Sequence, residues 1–147
     1  MKNKKYITIG FIAAVLFFSV ELINDYKEKN LGDVVNFNPS DLNYLDIDME
    51  VHTNEKIYAE KLIEFISQYR VQKIRSKVWE REYSATKGFT FIISKKNGDS
   101  VSFTIQQERL HYHSSDYYKV LNGPINMDWL ENFKNELEQR QKLINSN

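Results

Sequence analysis

The sequence predicts an α+β fold: an N-terminal transmembrane helix, then strand, helix, an antiparallel meander of about five strands, and a closing helix. Three observations carry this. Between 89 and 105, apolar residues alternate, reverse at Asn97-Gly98 and alternate back, the pattern of a β-hairpin. Two segments flanking the strand-like region, 53–69 and 126–137, repeat apolar residues at helical spacing. A run of strands with helices to one side makes an α+β domain. The chain also begins with lysines followed by an apolar run.

That run extends from 6 to 23, 18 residues interrupted by Glu21. As a helix it measures about 27 Å, close to the roughly 30 Å of a hydrocarbon core. Tyr6, Phe11, Leu16, Phe17, Phe18 and Val20 are the expected lipid-facing anchors. No small-residue cleavage pair closes the run, so it reads as an uncleaved signal anchor, with secretion after cleavage as the alternative. Lys2, Lys4 and Lys5 belong on the cytoplasmic side. The expected organisation is therefore an anchor over 1–23, a polar stalk over 24–41 and an extracytoplasmic domain over 42–147.

Within the domain, 42–51 alternates, with Leu45, Ile47, Met49 and Val51 on one face and Asp46, Asp48 and Glu50 on the other, which predicts a half-buried strand. Thr53 or Asn54 then caps a helix whose stripe is Tyr58, Leu62, Phe65, Ile66 and Tyr69. The stretch 71–84 reads as a second strand. In the hairpin, Asn97-Gly98 predicts a type I′ turn. Two short strands near 109–113 and 117–120 complete the meander, and Asn126 caps a helix carrying Trp129, Leu130, Phe133 and Leu137 inward.

Composition excludes several classes of function. Beyond residue 21 acids outnumber bases by two, which argues against nucleic acid as a partner. The absence of cysteine removes disulfides, thiolate metal sites, a Cys nucleophile and a lipid-accepting Cys. Five scattered glycines supply no phosphate-cradling loop, and no nucleophile elbow or zinc-protease helix motif occurs. Asp46, Asp48 and Glu50 resemble the start of a calcium loop, but Val51 and Ile57 occupy the positions that need Gly and Glu.

Candidate sites remain. His111 and His113 lie two apart on a strand, so both point to one side, and Asp116 or His52 is a conceivable third metal ligand. The bland reading places Leu110 and Tyr112 in the core and the histidines in solvent, and no metal or other cofactor is expected. Lys73, Arg75 and Lys77 alternate and lead to Trp79, a stripe suited to an anionic polymer; the competing reading pairs these cations with Asp46, Asp48 and Glu50 on a facing strand. Tyr112, Tyr117 and Tyr118 suggest an aromatic protein-binding platform.

The pattern "FTFIISKKNGDSVSFTIQ…YYKVLNGPINMDWLENFKNEL" resembles small Bacillus-type extracytoplasmic domains of unknown function, attached by a signal anchor or a lipidated Cys. The resemblance covers about 42–140 and implies a location without an activity. Together these readings describe a non-enzymatic, membrane-tethered extracytoplasmic binding or accessory module. Its expected partners are membrane lipid and a protein or anionic envelope polymer. The alternatives are an immunity-type or inhibitor protein that binds one partner stoichiometrically, and a cell-envelope hydrolase using a carboxylate pair.

Overall fold

The computed structural model describes the backbone of residues 2–75, 87–112 and 116–146, with side chains for all of these except 2–10, 13, 21, 22 and 145. In chain order the elements are helix α1 (Lys2–Asp25), strand β1 (Lys29–Asn30), helix α2 (Leu31–Val35), a 3-10 turn (Pro39–Asp41), β2 (Leu42–Ile47), β3 (Val51–Thr53), α3 (Lys56–Ile66), β4 (Arg70–Ile74), β5 (Gly88–Lys95), β6 (Ser100–Gln106), β7 (Arg109–Tyr112), β8 (Asp116–Val120) and α4 (Met127–Asn145). The eight described strands form one antiparallel sheet, ordered β1-β4-β8-β7-β6-β5-β2-β3. The α+β class stands, with eight described strands where about six were expected, one before the first domain helix and five after it.

Alternation explains the centre of the sheet. Phe89, Phe91 and Ile93 of β5 lie opposite Ile105, Phe103 and Val101 of β6, and all six are buried. The Phe91 and Phe103 rings stack at 5.3 Å. Onto this face α3 lays Tyr58, Ala59, Leu62, Phe65 and Ile66, and α4 lays Leu130, Phe133 and Leu137. The two helices meet through rings: Trp129 stacks on Phe65 at 3.8 Å and on Phe133 at 5.0 Å. Asn126 caps α4 by accepting from the Trp129 N–H at 3.0 Å. The helix α3 starts later than its sequence suggests, because Thr53 Oγ1 accepts from the Glu55 N–H and is spent in a turn before the helix.

Two turns differ from expectation. In the β5–β6 hairpin the positive φ falls on Gly98 alone, at 91°, with Gly98 N–H donating to Lys95 O. This is a three-residue loop ending in a left-handed glycine, not a type I′ turn. The larger correction concerns 42–51, which is a hairpin, not one strand. Asp48 and Met49 adopt φ of 57° and 59°, and Glu50 N–H closes the turn on Ile47 O. The acids cause the break: Asp46 Oδ1 accepts from Met49 N–H, and Asp48 exchanges 2.8 Å bonds with the Thr90 backbone through its own N–H and Oδ1. Met49, expected inside, is 79% exposed.

Residues of the expected stalk pack into this unit. Leu31 and Val35 are fully buried, Asn30 caps α2 through Gly32 N–H, and β1 pairs with β4.

The membrane anchor requires correction. Among the described residues no helix is long and apolar enough to cross a membrane. Phe11, Leu16, Phe17, Phe18 and Val20 are exposed on that helix, and the Tyr6 side chain lies outside the described residues. On this finding the single-pass anchor is withdrawn. The lipid partner and the external placement of the domain rested on it and go with it, and nothing supports the secreted alternative.

The acids of the β2–β3 turn are met by α4. Lys134 Nζ bonds Asp48 Oδ2 at 3.0 Å and also contacts Glu50, and its side chain is only 14% exposed. Burial, the largest influence, pulls the Lys134 pKa down, but the hydrogen bonds to Glu50 and Asp48 and their charges outweigh it and raise the ammonium above the ordinary lysine value. A raised lysine stabilises fully below its unfolded pKa of about 10.4 and loses that contribution as pH climbs through its folded pKa. Lys134→Met is therefore expected to lower unfolding free energy by about 2 kcal/mol at pH 8, between exposed pairs and buried ones. The gap should close above roughly pH 10.4. Equal denaturant midpoints for the two proteins at pH 8 would show that the turn does not depend on this pair.

Candidate functional site

Those of the expected site residues that the structure describes are scattered by the pleat. On β8, Tyr118 lies opposite Leu110 and is buried, whereas Tyr117 lies opposite His111 on the other face of the sheet, the two rings stacked at 4.5 Å. Tyr112 is half-buried on the core side with Leu110. The three tyrosines therefore share no common platform. His111 is half-buried, His113 lies outside the described residues, and among the described residues no group of three or more His, Asp or Glu side chains converges to hold a metal.

The basic stripe divides similarly. Arg75 is exposed just past the end of β4, and Lys77 and Trp79 lie outside the described residues. Lys73 faces inward, its side chain 20% exposed, bonding Asp116 at 3.0 Å and Asp25 at 3.2 Å. Four strands separate β4 from β2, so Lys73 and Arg75 do not face Asp46, Asp48 and Glu50; Lys134 supplies that charge. Burial lowers the Lys73 pKa, but the bonds to Asp116 and Asp25 more than compensate and it stands raised. Burial, then the Asp116 charge, raises Tyr112 and Tyr118 above the ordinary phenol.

A different region brings polar groups together. A cleft of about 680 Å³ opens between the edge hairpin β2–β3 and the last turns of α4, within the roughly 300–1,000 Å³ typical of small-ligand sites. Pairing places Asp46 opposite His52 on one face of the hairpin, with Tyr44 on the same face two residues before Asp46. Thr53 points the other way and is buried, and it lines the cleft together with Leu137 of α4. The helix offers Leu137, Arg140, Gln141 and Ile144, spaced three, four and seven residues from Leu137, so they form one stripe. Asn43, Asn54 and Glu55 complete the wall.

Two contacts span the cleft. Arg140 Nε donates to Glu55 Oε1 at 3.2 Å, and Gln141 Nε2 lies 3.3 Å from His52 Nδ1. Glu55 and Arg140 neutralise each other, and Asp46 already accepts from a backbone N–H. Tyr44 stays 42% exposed and Ile144 58% exposed at the rim. A second hollow of about 400 Å³ lies over the Phe65–Trp129 stack between α3 and α4.

Of this cleft, sequence reasoning weighed His52 as a metal ligand and Asp46 as a calcium-loop acid or a partner of the basic stripe, and it gave Thr53, Asn54 and Leu137 structural roles only. The available signal was the stripe continuing past Leu137 to Arg140, Gln141 and Ile144. The other wall was hidden because the β2–β3 turn was not foreseen.

Comparison with protein-family models, curated proteins and solved structures finds no match for this chain. The resemblance to Bacillus-type extracytoplasmic domains is accordingly withdrawn: alternation and an amphipathic helix are general features of α+β domains and identify no family. The membrane-tethered module, with its protein or envelope-polymer partner, falls together with the anchor.

Absorbance titration of tyrosinate gives a check on the geometry around Asp116. Tyr112→Phe and Tyr118→Phe are each expected to remove amplitude from the latest-ionising tyrosines, above the usual pKa of about 10. Loss of amplitude centred at the usual value would contradict the burial of these two rings.

Proposed function

We propose that this chain is a small-ligand-binding domain without catalytic chemistry of its own, its site the cleft between the β2–β3 hairpin and the end of α4. The observation that carries the reading is the convergence of polar side chains from β2, the 52–55 segment and α4 on one cleft of about 680 Å³. Recognition is favoured over acid–base chemistry because both cleft carboxylates already serve the protein. Glu55 pairs with Arg140, and Asp46 holds the β2–β3 turn. The walls are also preorganised, since the hairpin is tied to α4 by Lys134 and by the two contacts across the cleft.

Saturation-transfer NMR of the full-length chain against a library of small polar metabolites tests this. Hits are expected, and Asn54→Trp, which fills the cleft from an exposed position, should weaken them at least tenfold, about 1.4 kcal/mol, with an unchanged circular dichroism spectrum. Hits indifferent to Asn54→Trp, or a library without hits, would overturn the cleft as the site.

A further inference from the structure

The chemistry of the cleft narrows the ligand class, on the reading that the cleft is the site. We infer that it takes a neutral, polyhydroxylated small molecule, a sugar ring of one or two units, in preference to an anion, a cation or an amino acid.

Charge comes first. A site for a free carboxylate or phosphate needs a cation with donors to spare and no competing acid. Here Glu55 Oε1 already takes the Arg140 Nε–H, and Asp46 lies in the same cleft, so an anion would meet a guanidinium already neutralised and a second carboxylate. A cation would find Glu55 already paired with Arg140 and a single further carboxylate, Asp46, which is engaged in holding the β2–β3 turn. A neutral ligand incurs neither cost.

Hydrogen-bonding capacity points the same way. Asn43, Asn54 and Gln141 each present a carbonyl acceptor beside an amide donor, Asp46 adds acceptors, and Tyr44 carries a hydroxyl. Every hydroxyl of a sugar is at once donor and acceptor, so vicinal hydroxyls match planar amide and carboxylate groups two atoms at a time. His52 already has Gln141 within 3.3 Å, an amide–imidazole pair that a hydroxyl can bridge or replace without any change of charge.

Shape supplies the third element. A pyranose has one polar rim and flatter C–H faces. At the cleft mouth, Tyr44 offers a ring that is 42% exposed and Ile144 an aliphatic side chain that is 58% exposed, against which such a face can lie with its hydroxyls turned toward the amides. A site built to bond hydroxyls also rejects analogues that lack them, because its own polar groups would be left unpaired.

The experiment follows amide shifts of isotope-labelled full-length protein, at Asp46, Asn54 and Gln141, on titration with D-glucose, N-acetyl-D-glucosamine and maltose. Glycine, L-glutamate and inorganic phosphate are the comparison probes. At least one saccharide is expected to move these amides. Tyr44→Ala and Gln141→Ala should each weaken it about tenfold, and Tyr44→Phe, which keeps the ring and the fold, should weaken it less than threefold. Shifts from glycine, glutamate or phosphate but from no saccharide would overturn the ligand class and leave the cleft standing. Saccharide binding that ignores Tyr44→Ala and Gln141→Ala would overturn the placement. Absence of shifts from all six probes would overturn the inference, while hits from the metabolite library that Asn54→Trp abolishes would still uphold the site.

Discussion

The β2–β3 turn at Asp48 is where the sheet, the edge hairpin and the last helix are joined, and everything that shapes the cleft depends on it. Asp48 sits in the left-handed region, which costs on the order of 1 kcal/mol for a residue with a Cβ. The conformation persists because the residue is held from three sides. Its N–H and one carboxylate oxygen clasp the backbone of Thr90 on β5, and its other oxygen takes the Lys134 ammonium from α4. Glu50 shares the same ammonium. A cation at 14% exposure thus ties the hairpin to the helix, and the Arg140–Glu55 and Gln141–His52 contacts join it in fixing the space between them.

The core beneath is conventional by comparison. Strong alternation on β5 and β6 buries six large side chains against two amphipathic helices, and the helices lock through the Phe65–Trp129–Phe133 stack. Dispersion and apolar burial hold this part without directional chemistry. The two least exposed lysines of the described ion pairs each hold two acids, Lys73 with Asp25 and Asp116 in one place and Lys134 with Asp48 and Glu50 in another. The first closes the inner face of the sheet where β4 and β8 meet the end of α1. The second ties the β2–β3 hairpin to α4, beside the cleft whose walls those two elements form. The same type of ion cluster serves closure in one place and the tying of hairpin to helix in the other.

The acids of 46–50 illustrate how an identical pattern supports different structures. Alternating Asp46, Asp48 and Glu50 with Leu45, Ile47 and Met49 is what a half-buried strand looks like. It is also what a tight turn looks like when the acidic side chains find backbone N–H groups one to three residues away. The choice between them turns on Thr90 and Lys134, which contribute bonds that a continuous strand would forfeit. Similarly, His111 and Tyr117 sit adjacent only because β7 pairs with β8 in one register, and Tyr117 and Tyr118 part company because neighbours on a strand face opposite ways.

The sequence alone determined the α+β class, the β5–β6 hairpin, the buried stripe of α3 and the capped start of α4. Each of these follows from periodicity or a cap within a few residues, where the physics is local. The number of strands, the turn at Asp48, the partner of each charged side chain and the cleft were decided only by tertiary structure. Lys134 and Asp48 are 86 residues apart and Arg140 and Glu55 are 85 apart, and nothing in either segment announces the other. An ion pair or a cleft wall formed across such a separation exists only once the sheet has ordered its strands and the last helix has docked along its edge.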